Sequence, residues 1–99
     1  MGGKSFGQEM NESMEPMMKK LRALPVQKIT ISSWKGVDDI LDNVSGVSVY
    51  NEGGDLVSQV TLVQLDCHND YILLAQAIAE KMESDLKVDG YEVATRSRF

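Results

Sequence analysis

The chain is poor in the residues that build most small active sites. In 99 residues it has one cysteine, one histidine, one tryptophan and two prolines. A single thiol cannot close an internal disulfide, which excludes a disulfide scaffold and fits a reducing compartment. Cys67 and His68 are adjacent and supply two strong ligands, where a structural zinc takes four. No apolar run approaches the roughly 20 residues of a membrane helix, and the opening "MGGKSFGQEMNES" has no apolar core of secretory type. A cytoplasmic chain that avoids membranes is the expectation.

Catalytic signatures are missing as well. The sequence contains no G-x-x-x-x-G-K-[ST], no H-E-x-x-H and no G-x-S-x-G. The glycine-rich "NEGGDL" sits in a predicted hairpin rather than ahead of a helix, so it gains no helix dipole for a phosphate. "SSWKG", after the first predicted strand, carries no sulfur ligand. Asp38, Asp39 and Asp42 read as the solvated face of a helix. These absences point to a non-enzyme with neither metal nor cofactor.

Basic residues are scarce over most of the chain. From Gly36 to Thr95 twelve acids stand against Lys81 and Lys87, a local charge of −10 within a total of −5. Lys19, Lys20, Arg22, Lys28 and Lys35 precede this stretch, and Arg96 and Arg98 follow it. An acidic body argues against nucleic-acid binding, which depends on neutralising phosphates with Lys and Arg. It suits a solvated surface that keeps the protein soluble, or an acidic face that meets a basic protein partner, since complementary fields raise encounter rates and specificity.

What the sequence does have is clear periodicity. Residues 1–12 are polar and read as a flexible N-terminus, followed by a single α+β domain over 13–99. Ser13 reads as the cap of an amphipathic helix with Pro16 in its first turn and Pro25 beyond its end. Met14, Met17, Leu21 and Leu24 form its apolar stripe. "KITISSW" alternates as a strand with Ile29 and Ile31 inward. "VDDILDNV" reads as a short helix over Val37–Val44, with acids at its positive end. "SGVSVYNEGGDLVSQVTLVQL" is a hairpin turning at Gly53 and Gly54. "DYILLAQAIAEKMESDL" is the longest helix, burying Tyr71, Leu74, Ala75, Ile78 and Met82, and "YEVATRSRF" is a last strand.

After the leading helix the order is β-α-β-β-α-β. It predicts a ferredoxin-like sandwich: a four-stranded antiparallel sheet with two helices on one face and the N-terminal amphipathic helix in addition. A sheet flanked by helices on both faces competes, but needs strands after the last helix beyond the single one available. A sheet that stacks RNA bases needs aromatics on its exposed central strands. The positions read as exposed are Lys28, Thr30 and Ser32, then Gln59, Thr61 and Val63.

The segment "LDCHNDY" holds the only Cys and His. Asn69 or Asp70 suits a helix cap and Asp66 a strand-ending turn. Cys67, His68 and Asp70 are the candidate polar site, with Cys67 near a helix N-terminus that would lower a thiol's pKa. The functional expectation is a non-enzymatic interaction or assembly module with an acidic surface. It would be a homodimer that also binds a partner protein, of the kind found among small bacterial or phage accessory and inhibitor proteins. The Met14, Met17, Leu21, Leu24 stripe is the expected contact surface, because methionine adapts to irregular apolar faces. The alternative is a small-molecule-sensing or catalytic domain using the Trp34–Gly36 loop with Cys67 and His68.

Overall fold

The structure, a computed structural model, describes residues 3–36 and 43–99. Helix α1 runs Phe6–Arg22, strand β1 Lys28–Lys35, β2 Val44–Asn51, β3 Leu56–Val63, helix α2 Tyr71–Val88 and β4 Glu92–Arg98. A 3-10 turn at Gln64–Asp66 links β3 to α2. The four strands form one mixed sheet in the order β3-β2-β1-β4. β1 and β3 flank β2 antiparallel, and β4 lies parallel to β1.

This order corrects the ferredoxin-like expectation. That fold separates its first two strands by a third and is antiparallel throughout. Here β1 pairs directly with β2, Ile29 opposite Asn51 through Lys35 opposite Ser45, and Gly36 N–H donates to Val44 C=O. The physical reason is the alternation of small and β-branched residues in "VSGVSVYN", which makes Val44 the first residue of a strand. The helix expected over Val37–Val44 otherwise falls on residues 37–42, outside the described residues. Because β1, β2 and β3 form a meander, α2 must cross back over β2 and β1 to deliver β4 beside β1.

The two helices share one face of the sheet. α2 packs over β1, β2 and β4, and α1 lies beside it over β3. Alternation explains which side chains meet them: Ile29 and Ile31 of β1, with Val47 and Val49 of β2, are buried against Leu21, Leu74, Ile78, Met82 and Leu86. Tyr71, Leu74, Ala75, Ile78 and Met82 form the buried face of α2, as their spacing predicts. Ser45, fully buried among them, donates from its hydroxyl to Tyr71 C=O at 2.7 Å. The β2–β3 hairpin turns on Asn51, whose side-chain oxygen accepts from Asp55 N–H, and on Gly54 at φ +86°. At that angle an L side chain is strained, so glycine belongs there.

Helix α1 begins well before the expected cap. Ser5, not Ser13, is its N-cap, accepting from Gln8 N–H at 3.1 Å. Residues 6–12, read from the sequence as part of a flexible leader, are its opening turns. Pro16 therefore lies inside the helix, exposed to solvent. A proline there removes one backbone hydrogen bond and costs about 3 kcal/mol. Tertiary anchors offset that cost, one near each end of the helix: Glu9 reaches the loop before α2, and Arg22 donates to Asp89 at 2.8 Å just past the end of α2. The helices thus run parallel, clasped start to start and end to end.

Candidate functional site

Three places were expected to carry chemistry, and the structure puts them apart. In the Leu65–Tyr71 segment, Asp70 is the N-cap of α2, its Oδ1 accepting from Ile72 N–H at 2.9 Å and Leu73 N–H at 3.2 Å. His68 is exposed, and its backbone N–H donates to Glu9 Oε2 at 2.9 Å. Cys67 is half-buried against the core. Burial pushes its thiol up from the ordinary value, and the carboxylates of Glu9 and Asp66 push the same way. The thiolate is disfavoured, opposite to the lowering expected from the helix N-terminus. Among the described residues no group of three or more His, Cys, Asp or Glu comes together as a metal-binding set.

Glu9 is the residue sequence reasoning missed. It is 7% exposed, and its two carboxylate oxygens accept from the backbone N–H of His68 and of Asn69 and from the Asn69 side-chain amide, all at 2.9 Å. Burial by itself would raise its pKa, but hydrogen bonds from His68 N–H and from Asn69 outweigh this and hold the carboxyl below the usual range. The carboxylate occupies backbone donors in the turn ahead of α2 and locks the Cys67–Asn69 segment onto α1. A glutamate in a polar opening segment gives no signal of this, because its partners lie 59 and 60 residues away.

The Met14, Met17, Leu21, Leu24 stripe lies largely within the chain's own core. Met14, Met17 and Leu21 are buried together with Met18, and Leu24, beyond the helix, is half-buried. The stripe covers the sheet at β3 and faces α2.

Trp34 belongs to β1 rather than to a loop. Its ring lies across Gly46 on the neighbouring strand, where an added Cβ would come within 2.5 Å of Trp34 Cζ2 and of Val60 C=O. Its Nε1–H donates to Ser48 Oγ at 2.9 Å, and the Ser48 hydroxyl donates to Gln59 Oε1 at 2.8 Å. A polar chain thus runs from β1 across β2 to β3.

This polar chain marks the face of the sheet opposite α1 and α2, the helix-free face, since no helix among the described residues covers it. If Ile29, Ile31, Val47 and Val49 face the helices, their alternates Thr30, Ser32, Trp34, Ser48 and Tyr50 face the other way. The β1–β4 register adds Ala94, Arg96 and Arg98 beside Thr30, Ser32 and Trp34. A shallow cleft of 390 Å³ on this face is lined by Thr30, Ser32, Tyr50, Asn51 and Gly54, with Arg96 and Arg98 and the carboxylate of Glu52 at its rim. Neither guanidinium is in an ion pair among the described residues. Lys28, Arg96 and Arg98 stand here against Glu92 and Glu52, with Glu52 3.8 Å from Lys28, so the two arginines leave this face a small positive excess although the chain is acidic. The sequence signal was available: the alternation that turned Thr30 and Ser32 outward also turns Trp34 outward, and the same step in β2 turns Tyr50 outward.

The arrangement offers guanidinium, hydroxyl and aromatic groups on a rigid surface, with no activated nucleophile among them. No helix among the described residues is long and apolar enough to cross a membrane. Compared with known protein families, curated proteins and solved structures, the chain matches none.

Proposed function

We propose that this chain is a non-enzymatic, cytoplasmic protein-interaction and assembly module that holds an acidic peptide segment of a partner on the helix-free face of its sheet. The observation that carries the reading is that face itself: four strands with one side covered by α1 and α2 and the other, among the described residues, bare, bearing two guanidinium groups without an ion pair among those residues beside a cleft. Arginine binds carboxylates through a planar two-pronged hydrogen bond, which gives orientation as well as charge. Thr30, Ser32 and Tyr50 supply neutral hydrogen-bonding groups alongside. Nucleic acid is the poorer occupant, because its affinity depends on neutralising many phosphates at once and this face offers only a few cations, whereas a short acidic segment needs no more than the two guanidinium groups. The rival reading, a small-molecule or catalytic site joining Trp34 to Cys67 and His68, has less support. Trp34 lies on the helix-free face, whereas Cys67 packs against the core on the other side of the sheet.

Trp34 is the sole tryptophan and reports on this face directly. Titration with Glu-rich and Lys-rich decapeptides, and with single-stranded oligonucleotides, should change its fluorescence with the Glu-rich peptides alone. Arg96→Gln with Arg98→Gln should abolish that response while moving stability by no more than about 0.5 kcal/mol, as for other surface positions. A flat response to the acidic peptides overturns the reading. An oligonucleotide response that falls steeply with salt replaces it with nucleic-acid binding.

A further inference from the structure

The geometry points to the outer edge of β4 as a self-pairing surface, joining two copies of this chain antiparallel about Thr95 into one eight-stranded sheet. β4 ends the sheet, with β1 on one side and no strand on the other among the described residues. Glu92 N–H donates to Gln27 C=O at 2.8 Å, which fixes the direction of every backbone group along the strand. Residues 92, 94, 96 and 98 turn their N–H and C=O toward β1, so Val93, Thr95 and Ser97 turn theirs outward. Natural edges are blunted by proline, by charged side chains, lysine above all, or by a bulge. β4 has no proline, lysine or bulge, its charges are Glu92, Arg96 and Arg98, and its register against β1 is unbroken from Glu92 to Arg98.

The sequence of this edge complements itself. A two-fold axis at Thr95 sets Tyr91 opposite Phe99, Glu92 opposite Arg98, Val93 opposite Ser97 and Ala94 opposite Arg96. The outward-facing residues then fall opposite one another as hydrogen-bonded pairs, Val93 with Ser97 on either side of Thr95 with Thr95. Glu92 and Arg98 fall at closely spaced positions on the helix-free face, an opposite-charge pair formed twice by symmetry. Phe99, 46% exposed, meets the half-buried Tyr91. Thr95 is the midpoint of β4, so this register alone overlaps the strand completely. Moving the axis to Ala94 sets Glu92 against Arg96 and leaves Arg98 opposite Gly90. A parallel in-register pairing would stack each arginine on its own copy.

The helix side leaves room for the join. Beside β4 a hollow of 510 Å³ opens between Gln76, Glu80 and Glu83 of α2 and Thr95 and Ser97 of the strand. Glu83, nearest the axis, accepts from the Thr95 hydroxyl at 3.2 Å and is paired with Lys87 at 3.1 Å. An axis perpendicular to the sheet puts both copies' helices on one side and makes the other side continuous across the eight strands of the two chains. The inference rests on the assembly part of the proposed function and gives that assembly its interface.

Sedimentation velocity at micromolar protein tests it. The wild-type chain should be dimeric; Glu92→Arg and Arg98→Glu should each weaken the dimer about tenfold or more by replacing two attractive pairs with two repulsive ones, and the double charge swap should restore it. Thr95→Pro removes an outward N–H, which edge strands tolerate, and the exposed hydrogen bond to Glu83, and should give a folded monomer by circular dichroism. A monomeric wild type overturns the inference and leaves the peptide-binding reading to its own Trp34 titration. A dimer indifferent to both the charge reversals and Thr95→Pro also overturns it, while the assembly reading stands on another surface.

Discussion

The two faces of this sheet are built from the same strands, one residue apart, and have opposite chemistry. Ile29, Ile31, Val47 and Val49 meet α1 and α2 in an aliphatic and methionine-rich layer. Thr30, Ser32, Trp34, Ser48 and Tyr50 form a polar, aromatic surface edged by Arg96 and Arg98. The buried core lies on one face and the proposed recognition surface on the other, so substitutions of core side chains and of exposed polar ones should have different readouts.

The sharpest test of that division is Leu21→Ala. Leu21 is fully buried between helix and sheet, so truncation should cost about 2–5 kcal/mol in urea unfolding. A cost under about 1 kcal/mol would show that α1 is not an integral part of the core. The next effect probes the other face where it is tightest. Gly46→Ala should cost about 1–3 kcal/mol through overpacking, because the new methyl meets the Trp34 ring on one side and the Val60 carbonyl on the other. Trp34 emission should shift as its ring is displaced. An unchanged spectrum would place the indole elsewhere.

Glu9→Gln should cost about 1–3 kcal/mol at neutral pH by leaving a buried backbone N–H without an acceptor. Its pH dependence is more diagnostic than its size. A carboxyl held below its ordinary value in the folded state stabilises the fold above the unfolded value, and that contribution is lost as pH falls through the folded value. The wild type should lose stability on acidification below about pH 4.3, and the gap between it and Glu9→Gln should close. A gap unchanged between pH 7 and pH 3 would mean that the charge of Glu9 does not hold the clasp.

Local patterns were legible in the sequence to the extent that they depend on near neighbours. The buried face of α2, the Asp70 cap and the turn at Gly54 all follow from periodicity and single-residue chemistry. Strand order did not, because Val44–Tyr50 reads equally well as the second strand of a crossover or of a hairpin, and only pairing across the sheet distinguishes them. The start of α1 was hidden for a similar reason. Ser5 and Ser13 are both good caps by composition, and what selects Ser5 is the hold of Glu9 on residues 68 and 69. The aromatic content of the helix-free face was readable but went unread, since Trp34 and Tyr50 stand at the ends of their alternating runs.

The clasp between the helices also has a consequence in time. α1 is made first, yet everything it packs on, β3 and α2, is made later, and the partner of Arg22 is residue 89. At a synthesis rate of roughly 5–20 residues per second, Glu9 waits several seconds for His68 and Asn69 to emerge. Through that interval a 17-residue helix is only marginally stable alone, and its methionines have no sheet to lie on. Helix α1 is seated only after β3 and α2 have emerged, and until then its apolar stripe is open to a chaperone.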